Sequence, residues 1–453
     1  MIKSFFICAQ VLFFSVLFFP GNRLMASSQN DITTKLDKLV DEYYDMNLFS
    51  GTVLVVQNDS PIFRKAVGYS NQESNTLNNP ETVFNIGSIQ KTFTQELIKM
   101  LIDEDKLKYE DKLGQYITGF SDKNAEDATI EQILTMKAGF GDFIMIPEIR
   151  ESAGRITSID DFLALIKTEP LLFKPGTDRQ YSNSGYVILG GVIEKITGKS
   201  YEEFLTERIL KPLGMNSSYY VRASALKPNK ANGYVVSPDG SIFQPRGFDL
   251  SPTPAGSMYS NLDDLMRFAN FLWEKSDGPM QNVFAGGLPG WNSVMGLFGN
   301  KENTVIILSN FDEPSAEQLF DQLMKVLNGK DYDPPKKSLG NFIYTEMKNN
   351  GKDNFINNYE TLLHENGYEI ENDMTLNMLG YSFLNQNMPD EAIAVFNLNV
   401  KLFPKVVNCY DSLGEAYMMS GNKSEAIKNY EIVLKMDPEN KNAKMMLEKL
   451  TSR

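Results

Sequence analysis

Leu379-Gly380 recurs 34 residues later as Leu413-Gly414, and the same offset carries Phe383 to Tyr417, Ala392 to Ala426, Phe396 to Tyr430 and Pro404 to Pro438. A period of that length, with small, aromatic and proline positions in fixed order, constrains the end of the chain more than any local propensity. Each copy is one helical pair, which buries its apolar face only by stacking on a neighbour. The two copies run over about 373–406 and 407–440. Two alone bury too little, so Ser338 to Asn372 is expected as a degenerate helical pair ahead of them, and Lys441 to Leu450 as a capping helix. Gly329-Lys-Asp-Tyr-Asp-Pro-Pro-Lys-Lys337 reads as a linker, which sets an all-α region over 338–453 apart from what precedes it.

This order of small and aromatic positions resembles the tetratricopeptide repeat, which implies that a protein partner or a second copy docks on the helical region. At 453 residues the chain has room for two or more domains, and at 42% apolar it can bury large cores. Residues 1–28 read as an export signal: Lys3 supplies charge, Phe5 to Phe19 is nearly continuous apolar sequence, and Ala26-Ser27-Ser28 offers small residues for cleavage. The expected location is therefore periplasmic or extracellular. The alternative is an uncleaved anchor, because the apolar run approaches spanning length. A net charge of −14 makes nucleic acid and anionic lipid poor partners. Of the two cysteines, Cys8 lies in the signal, so Cys409 has no internal disulfide partner after cleavage. The single histidine, His364, lies in the helical pattern Tyr359-Glu-Thr-Leu-Leu-His-Glu365, far from the other candidate residues. A Ser-His-Asp relay would depend on it, and zinc sites of two or three histidines are excluded. No metal or cofactor is expected, and any hydrolytic base must be Lys, Tyr or a carboxylate.

Ahead of the linker, one stretch combines four features of nucleophilic chemistry. In Thr82-Val-Phe-Asn-Ile-Gly-Ser88-Ile-Gln-Lys91-Thr-Phe-Thr, a strand-like entry meets Gly87 and then a helical pattern running to about Asp103. Residues three apart share a helix face, so the Ser88 hydroxyl and the Lys91 amine can meet. Serine needs a base to take its proton. Lysine becomes one when burial and a positive field lower its pKa, and a helix N-terminus supplies such a field. The same spacing recurs at Ser224/Lys227, before Pro228, and at Ser420/Lys423, across a loop between repeat helices; neither offers a buried helix start.

Periodicity predicts a helix over Ile32 to Met46, then strands Gly51–Val56 and Ile62–Tyr69 joined by a hairpin turn at Gln57 to Pro61. Helical pieces follow at Ile130–Thr135, Ile159–Ile166, Val187–Thr197 and Tyr201 to about Leu210. Val221 to Pro254 is turn-rich. A helix from Asn261 to Leu272, strands Ser293–Phe298 and Thr304–Ser309, and a helix Ala316–Leu327 complete the unit.

Phe84-Asn-Ile-Gly-Ser88-Ile-Gln-Lys91, Phe173-Lys-Pro-Gly176, Tyr181-Ser-Asn183-Ser-Gly-Tyr, Pro212-Leu-Gly-Met215, Ala255-Gly256 and Gly286-Gly-Leu-Pro-Gly290 follow one another in the order seen in penicillin-recognising serine hydrolases. The chain resembles the class C β-lactamase type of that family over roughly 31–328. The resemblance implies an α/β (α+β) domain over 29–328, with a central antiparallel sheet and helices on both faces. It implies that Ser88 is acylated, that Lys91 and Tyr181 handle its proton, and that Asn183 orients the lysine and the substrate carbonyl. The oxyanion would lie between the Ser88 amide and one on the Gly286-Gly287 strand. Three departures stand out. Phe284 occupies the place of a family Lys or His, which argues against carboxylate-bearing substrates and for an ester or amide with a neutral acyl group. Only Trp273 to Val283 separate the preceding helix from the glycine loop, which leaves room for one sheet element fewer. Met136-Lys-Ala-Gly139 stands in place of His-Thr-Ser-Gly. The competing expectation is a catalytically weakened binding or scaffold protein whose repeats carry the function.

Overall fold

The computed structural model describes residues 29–151, 156–221, 229–245, 251–312 and 315–452. The expected export segment and the Ser224/Lys227 pair lie outside the described residues. The chain divides into two compact units, one reaching to Val235 and resuming over Phe243–Pro335, the other formed by Val236–Ile242 with Lys336 onward.

In the first unit, strand β1 (Gly51–Gln57) alternates as a buried strand must: Val53 and Val55 enter one core, Leu54 and Val56 the other. The hairpin is tighter than its composition suggests. Asn58 and Asp59 both adopt positive φ, so a two-residue turn returns the chain as β2 (Ser60–Val67), two residues earlier than expected. Strands β3 (Met280–Leu288), β4 (Trp291–Gly299) and β5 (Asn303–Ser309) complete an antiparallel sheet in the order β2-β1-β5-β4-β3. Central β5 joins the two hairpins, with Ile306 opposite Leu54 on one side and Met295 on the other.

The main helices of this unit are α1 (Gln29–Asp45), α2 (Gln90–Asp103), α3 (Asn183–Thr197), α4 (Leu262–Lys275) and α5 (Ser315–Leu327). α1 and α5 pack on one face of the sheet through Leu36, Leu39, Val40, Leu319 and Leu323. The larger core lies on the other face, where α2, α3 and α4 contribute Phe93, Leu97, Tyr186, Leu189 and Phe268. The α/β architecture, with helices on both faces of an antiparallel sheet, is therefore as expected. α3 starts four residues before the expected Val187. Asn183-Ser-Gly185 are weak helix formers, but the Ser182 hydroxyl caps the helix by accepting from the Gly185 amide at 2.9 Å. The short link after α4 leads straight into β3, which forms the edge of the sheet.

The second unit is helical: α6 (Leu339–Asn350), α7 (Lys352–Glu365), α8 (Asp373–Asn385), α9 (Pro389–Leu402), α10 (Val407–Met419), α11 (Lys423–Met436) and α12 (Lys441–Thr451). The α6/α7 pair shares one core with α8 to α10, which is the role expected of a degenerate pair. The first helices of successive pairs are tied side by side. Ser412 bonds Asn377 at 2.7 Å, Tyr381 donates to Glu415 at 2.8 Å, and Asn442 donates to both Asp411 oxygens at 2.8 and 3.0 Å. Residues 236–242 join this unit, with the Asn341 amide donating to the Pro238 carbonyl at 2.9 Å. His364 is exposed on α7, and burial pushes the Cys409 thiol up to about 11. No helix among the described residues is long and apolar enough to cross a membrane.

The glycine that repeats at offset 34 does unequal work in its two copies. A Cβ at Gly380 would fall 2.4 Å from the buried ring of Phe396, whereas one at Gly414 would stand 3.2 Å from the Tyr430 ring. Overpacking costs about 1–3 kcal/mol, against roughly 0.5–1 kcal/mol gained by replacing a mid-helix glycine with alanine. Gly380→Ala should therefore destabilise the helical unit in denaturant titrations, while Gly414→Ala should leave its midpoint nearly unchanged.

Candidate active site

Ser88 sits on a single 3₁₀ turn, Gly87–Ile89, that runs without a break into α2. The entry strand is only Phe84–Asn85, and its neighbours fix the turn. The Ile86 amide donates to Met258 O at 2.9 Å, the Gly87 amide to the Asn85 side chain at 2.9 Å, and the Ser293 hydroxyl to Asn85 O at 3.3 Å. Gly87 has φ +51, and a Cβ there would fall 2.7 Å from Gly286 C and 2.8 Å from Gly287 N. The relation is mutual, since a Cβ at Gly286 would fall 2.2 Å from Ile86 O and 2.5 Å from the Ser88 nitrogen. Only glycines allow the edge strand and the serine turn to touch backbone to backbone, bringing the amides of Ser88, Gly286 and Gly287 into one small region.

One turn along α2, Lys91 is 5% exposed. Its amine donates to Ser88 Oγ at 3.0 Å, to Asn183 Oδ1 at 2.7 Å and to Ala255 O at 2.5 Å. The Tyr181 hydroxyl lies 2.6 Å from Ser88 Oγ, and the Lys91 amine stands 4.9 Å from the Tyr181 ring centre. All four polar side chains expected from the sequence thus meet at one point. Two of the lysine's partners are carbonyl-type oxygens, which can only accept. They hold two N–H bonds and direct the remaining position, a third N–H or a lone pair, at the serine. The amine can therefore either donate to Ser88 Oγ or receive its proton without moving.

Neighbouring groups narrow the choice of base. Tyr186 also stands near the amine, at 5.6 Å, but burial pushes its phenol up to about 12. It accepts from Gln95 at 2.5 Å and donates to Leu134 O at 3.2 Å, so it keeps its proton at neutral pH. Half-exposed Tyr181 is the phenol in contact with the serine.

Two parts of the site escaped sequence reasoning. The Ala255 carbonyl is presented by a tight turn, in which Thr253 and Gly256 exchange 3.0 Å backbone bonds and Pro254 O accepts from Thr94. Its Ala-Gly text was legible, but its role as a lysine acceptor was not. Asp142 had no signal except its capping position: one carboxylate oxygen accepts from the Ile144 amide at 3.0 Å, the other from Asn183 Nδ2 at 2.6 Å. Beside it, the Ser182 hydroxyl donates to Gly141 O at 2.8 Å. The unusual Met136-Lys-Ala-Gly139 loop is held through its main chain. Gly139 O accepts from Leu172 N, Lys137 O from Gly176 N and Met136 O from Gln180 N, which makes its altered side chains tolerable.

Phe284 lies two residues before Gly286, on the same face of β3, opposite Met295. It is half-buried against the larger core, so an apolar ring fills the position for which the resemblance implied a cation. No group of three His, Cys, Asp or Glu among the described residues is placed to hold a metal.

Comparison with known proteins follows this geometry. The beta-lactamase family model matches residues 36–282, and a tetratricopeptide repeat model matches 407–440. Protein flp of Staphylococcus aureus (strain N315) is 27% identical over 256 residues, 55% of this chain and 50% of flp. This chain thus spans half the length of that relative. The putative penicillin-binding protein PbpX of Bacillus subtilis is 26% identical over 323 residues, 65% of this chain and 80% of PbpX. A D-amino acid amidase from Ochrobactrum anthropi, solved with L-phenylalanine amide, superposes with a TM-score of 0.58 at 17% identity, covering 66% of this chain and 99% of the amidase, a likeness of fold.

The backbone contact at Gly286 has a direct consequence. Gly286→Ala forces either the strand or the Ser88 amide to move by about 1 Å, a displacement that costs on the order of 10²-fold in reactivity. The variant should remain folded by circular dichroism, while its rate of modification at Ser88 by a fluorophosphonate falls by about that factor.

Proposed function

The chain belongs to the beta-lactamase family of penicillin-binding-protein-like serine hydrolases, and from that premise we propose that it hydrolyses an ester or amide through an acyl-enzyme on Ser88. The observation that carries this reading is the contact of Ser88 Oγ with both the Tyr181 hydroxyl, at 2.6 Å, and the Lys91 amine, at 3.0 Å. Ser88 Oγ attacks the acyl carbonyl, and its proton passes to Tyr181 as phenolate or to the neutral Lys91 amine. Negative charge developing on the carbonyl oxygen is taken up by the Ser88 amide and one amide of the Gly286-Gly287 pair. The intermediate collapses, the C–O or C–N bond to the leaving group breaks, and the same proton returns to the departing alcohol or amine. Water then attacks the ester on Ser88, the base pair accepts its proton, and the acid leaves as Ser88 regains its hydrogen.

Phe284 supports a neutral acyl group, since it offers no charge to a substrate carboxylate. The assembled Ser88, Lys91, Tyr181 and Asn183 set weighs against a scaffold that has lost its chemistry, because a buried lysine and its acceptors are costly to keep without use. The apolar run Phe5–Phe19 supports export as part of the same reading, and the tetratricopeptide region supports a protein partner.

Hydrolysis of a p-nitrophenyl ester by the full chain tests the proposal. Ser88→Ala should abolish turnover, and Lys91→Met and Tyr181→Phe should each reduce kcat by about 10²–10⁴-fold with the fold retained by circular dichroism. Turnover undiminished in Ser88→Ala would refute it. Phe284→Lys should raise kcat/KM for an ester whose acyl group bears a carboxylate about tenfold relative to its neutral counterpart, from one added charge-assisted hydrogen bond. Paired assays on the two esters measure that ratio.

A further inference from the structure

We propose that Asp142 is a positioning residue that sets both the orientation of the Asn183 amide and the proton affinity of Lys91; this rests on the acyl-enzyme reading above. An asparagine amide can face either way, and only one way suits an amine that must keep one position turned toward Ser88. A carboxylate can only accept, so Asp142 Oδ2 at 2.6 Å holds Asn183 Nδ2 and turns Asn183 Oδ1 onto Lys91 at 2.7 Å. Reversed, the amide would point N–H groups at the lysine and drive it from the serine. Asp142 is itself anchored, because its other oxygen caps the turn Phe143–Met145 through the Ile144 amide. The Ser182 bond to Gly141 O clamps the same loop to the start of α3, so carboxylate and amide approach as one rigid unit.

The carboxylate also places a negative charge one amide away from the amine. Among the described residues, the ionisable groups near Lys91 include Tyr181 and Tyr186, whose rings flank it, and Asp142 behind Asn183, with the charge of Arg179 also acting on Tyr186. The turn at Ala255 presents a carbonyl to the amine, and at Gly286-Gly287 the edge strand meets the serine turn with backbone alone. Removing the Asp142 charge disfavours the Lys91 ammonium and favours the Tyr181 phenolate. Whichever group is the base, the pH at which the site gains its acceptor falls.

Asp142→Asn separates these roles from simple structure, since asparagine caps a turn as well as aspartate does. In the full chain labelled with ¹³C-lysine, the pH titration of the Lys91 Cε resonance, assigned with Lys91→Arg, should move to lower pH by about half a unit or more in Asp142→Asn. Asp142→Glu should move it back toward wild type. The plateau rate of fluorophosphonate addition to Ser88 should drop about tenfold or more, with its rising limb displaced to lower pH. An unchanged Lys91 titration in Asp142→Asn would overturn the proposal, even if the labelling rate fell. Failure of the wild-type chain to react at Ser88 would count against the hydrolase reading, and the Lys91 titration would still decide the role of Asp142.

Discussion

A lysine amine buried under three oxygens is the constraint from which the rest of the first unit follows. Burying an ammonium in a core is strongly unfavourable unless each N–H meets an acceptor. The acceptors of Lys91 come from three places in the chain: Ser88 on the preceding turn, Asn183 at the start of α3, and Ala255 in the turn before α4. The hydrogen bonds that converge on Lys91 therefore also tie α2 to the start of α3.

The second constraint is steric. The edge strand reaches the Ser88 turn at Gly286, where no Cβ fits, so the two meet through backbone alone. Two residues earlier on the same strand face, Phe284 turns an apolar ring into the core. In the proposed reaction, acyl activation and substrate charge preference thus fall to neighbouring positions of one strand. The first can be kept while the second changes, which is how a shared fold comes to host different substrates.

The helical unit obeys another logic. Its stability accumulates by stacking pairs, and the Asn377–Ser412, Tyr381–Glu415 and Asp411–Asn442 contacts repeat the same side-by-side link between first helices. α6 and α7 lack the repeat's signature residues yet extend its core, because stacking requires an apolar face and not a motif.

Local sequence determined much of this protein. The 34-residue period, the helix stripes, the alternation of β1 and the Ser88/Lys91 spacing are set by neighbours a few residues apart, and the four polar residues read as chemical partners do converge. Weak local signals misled at the start of α3, where a capping serine outweighs poor helix formers, and at the hairpin, where two positive-φ residues tighten the turn. Tertiary structure alone decided that a carbonyl at Ala255 completes the lysine's shell, that Asp142 meets Asn183 across 41 residues, and that Gly286 presses on the serine turn. A backbone carbonyl carries no side-chain signature, and a capping aspartate looks the same whether or not its second oxygen is used. Long-range partners of that kind are selected by packing, and they become visible only when the chain has closed around them.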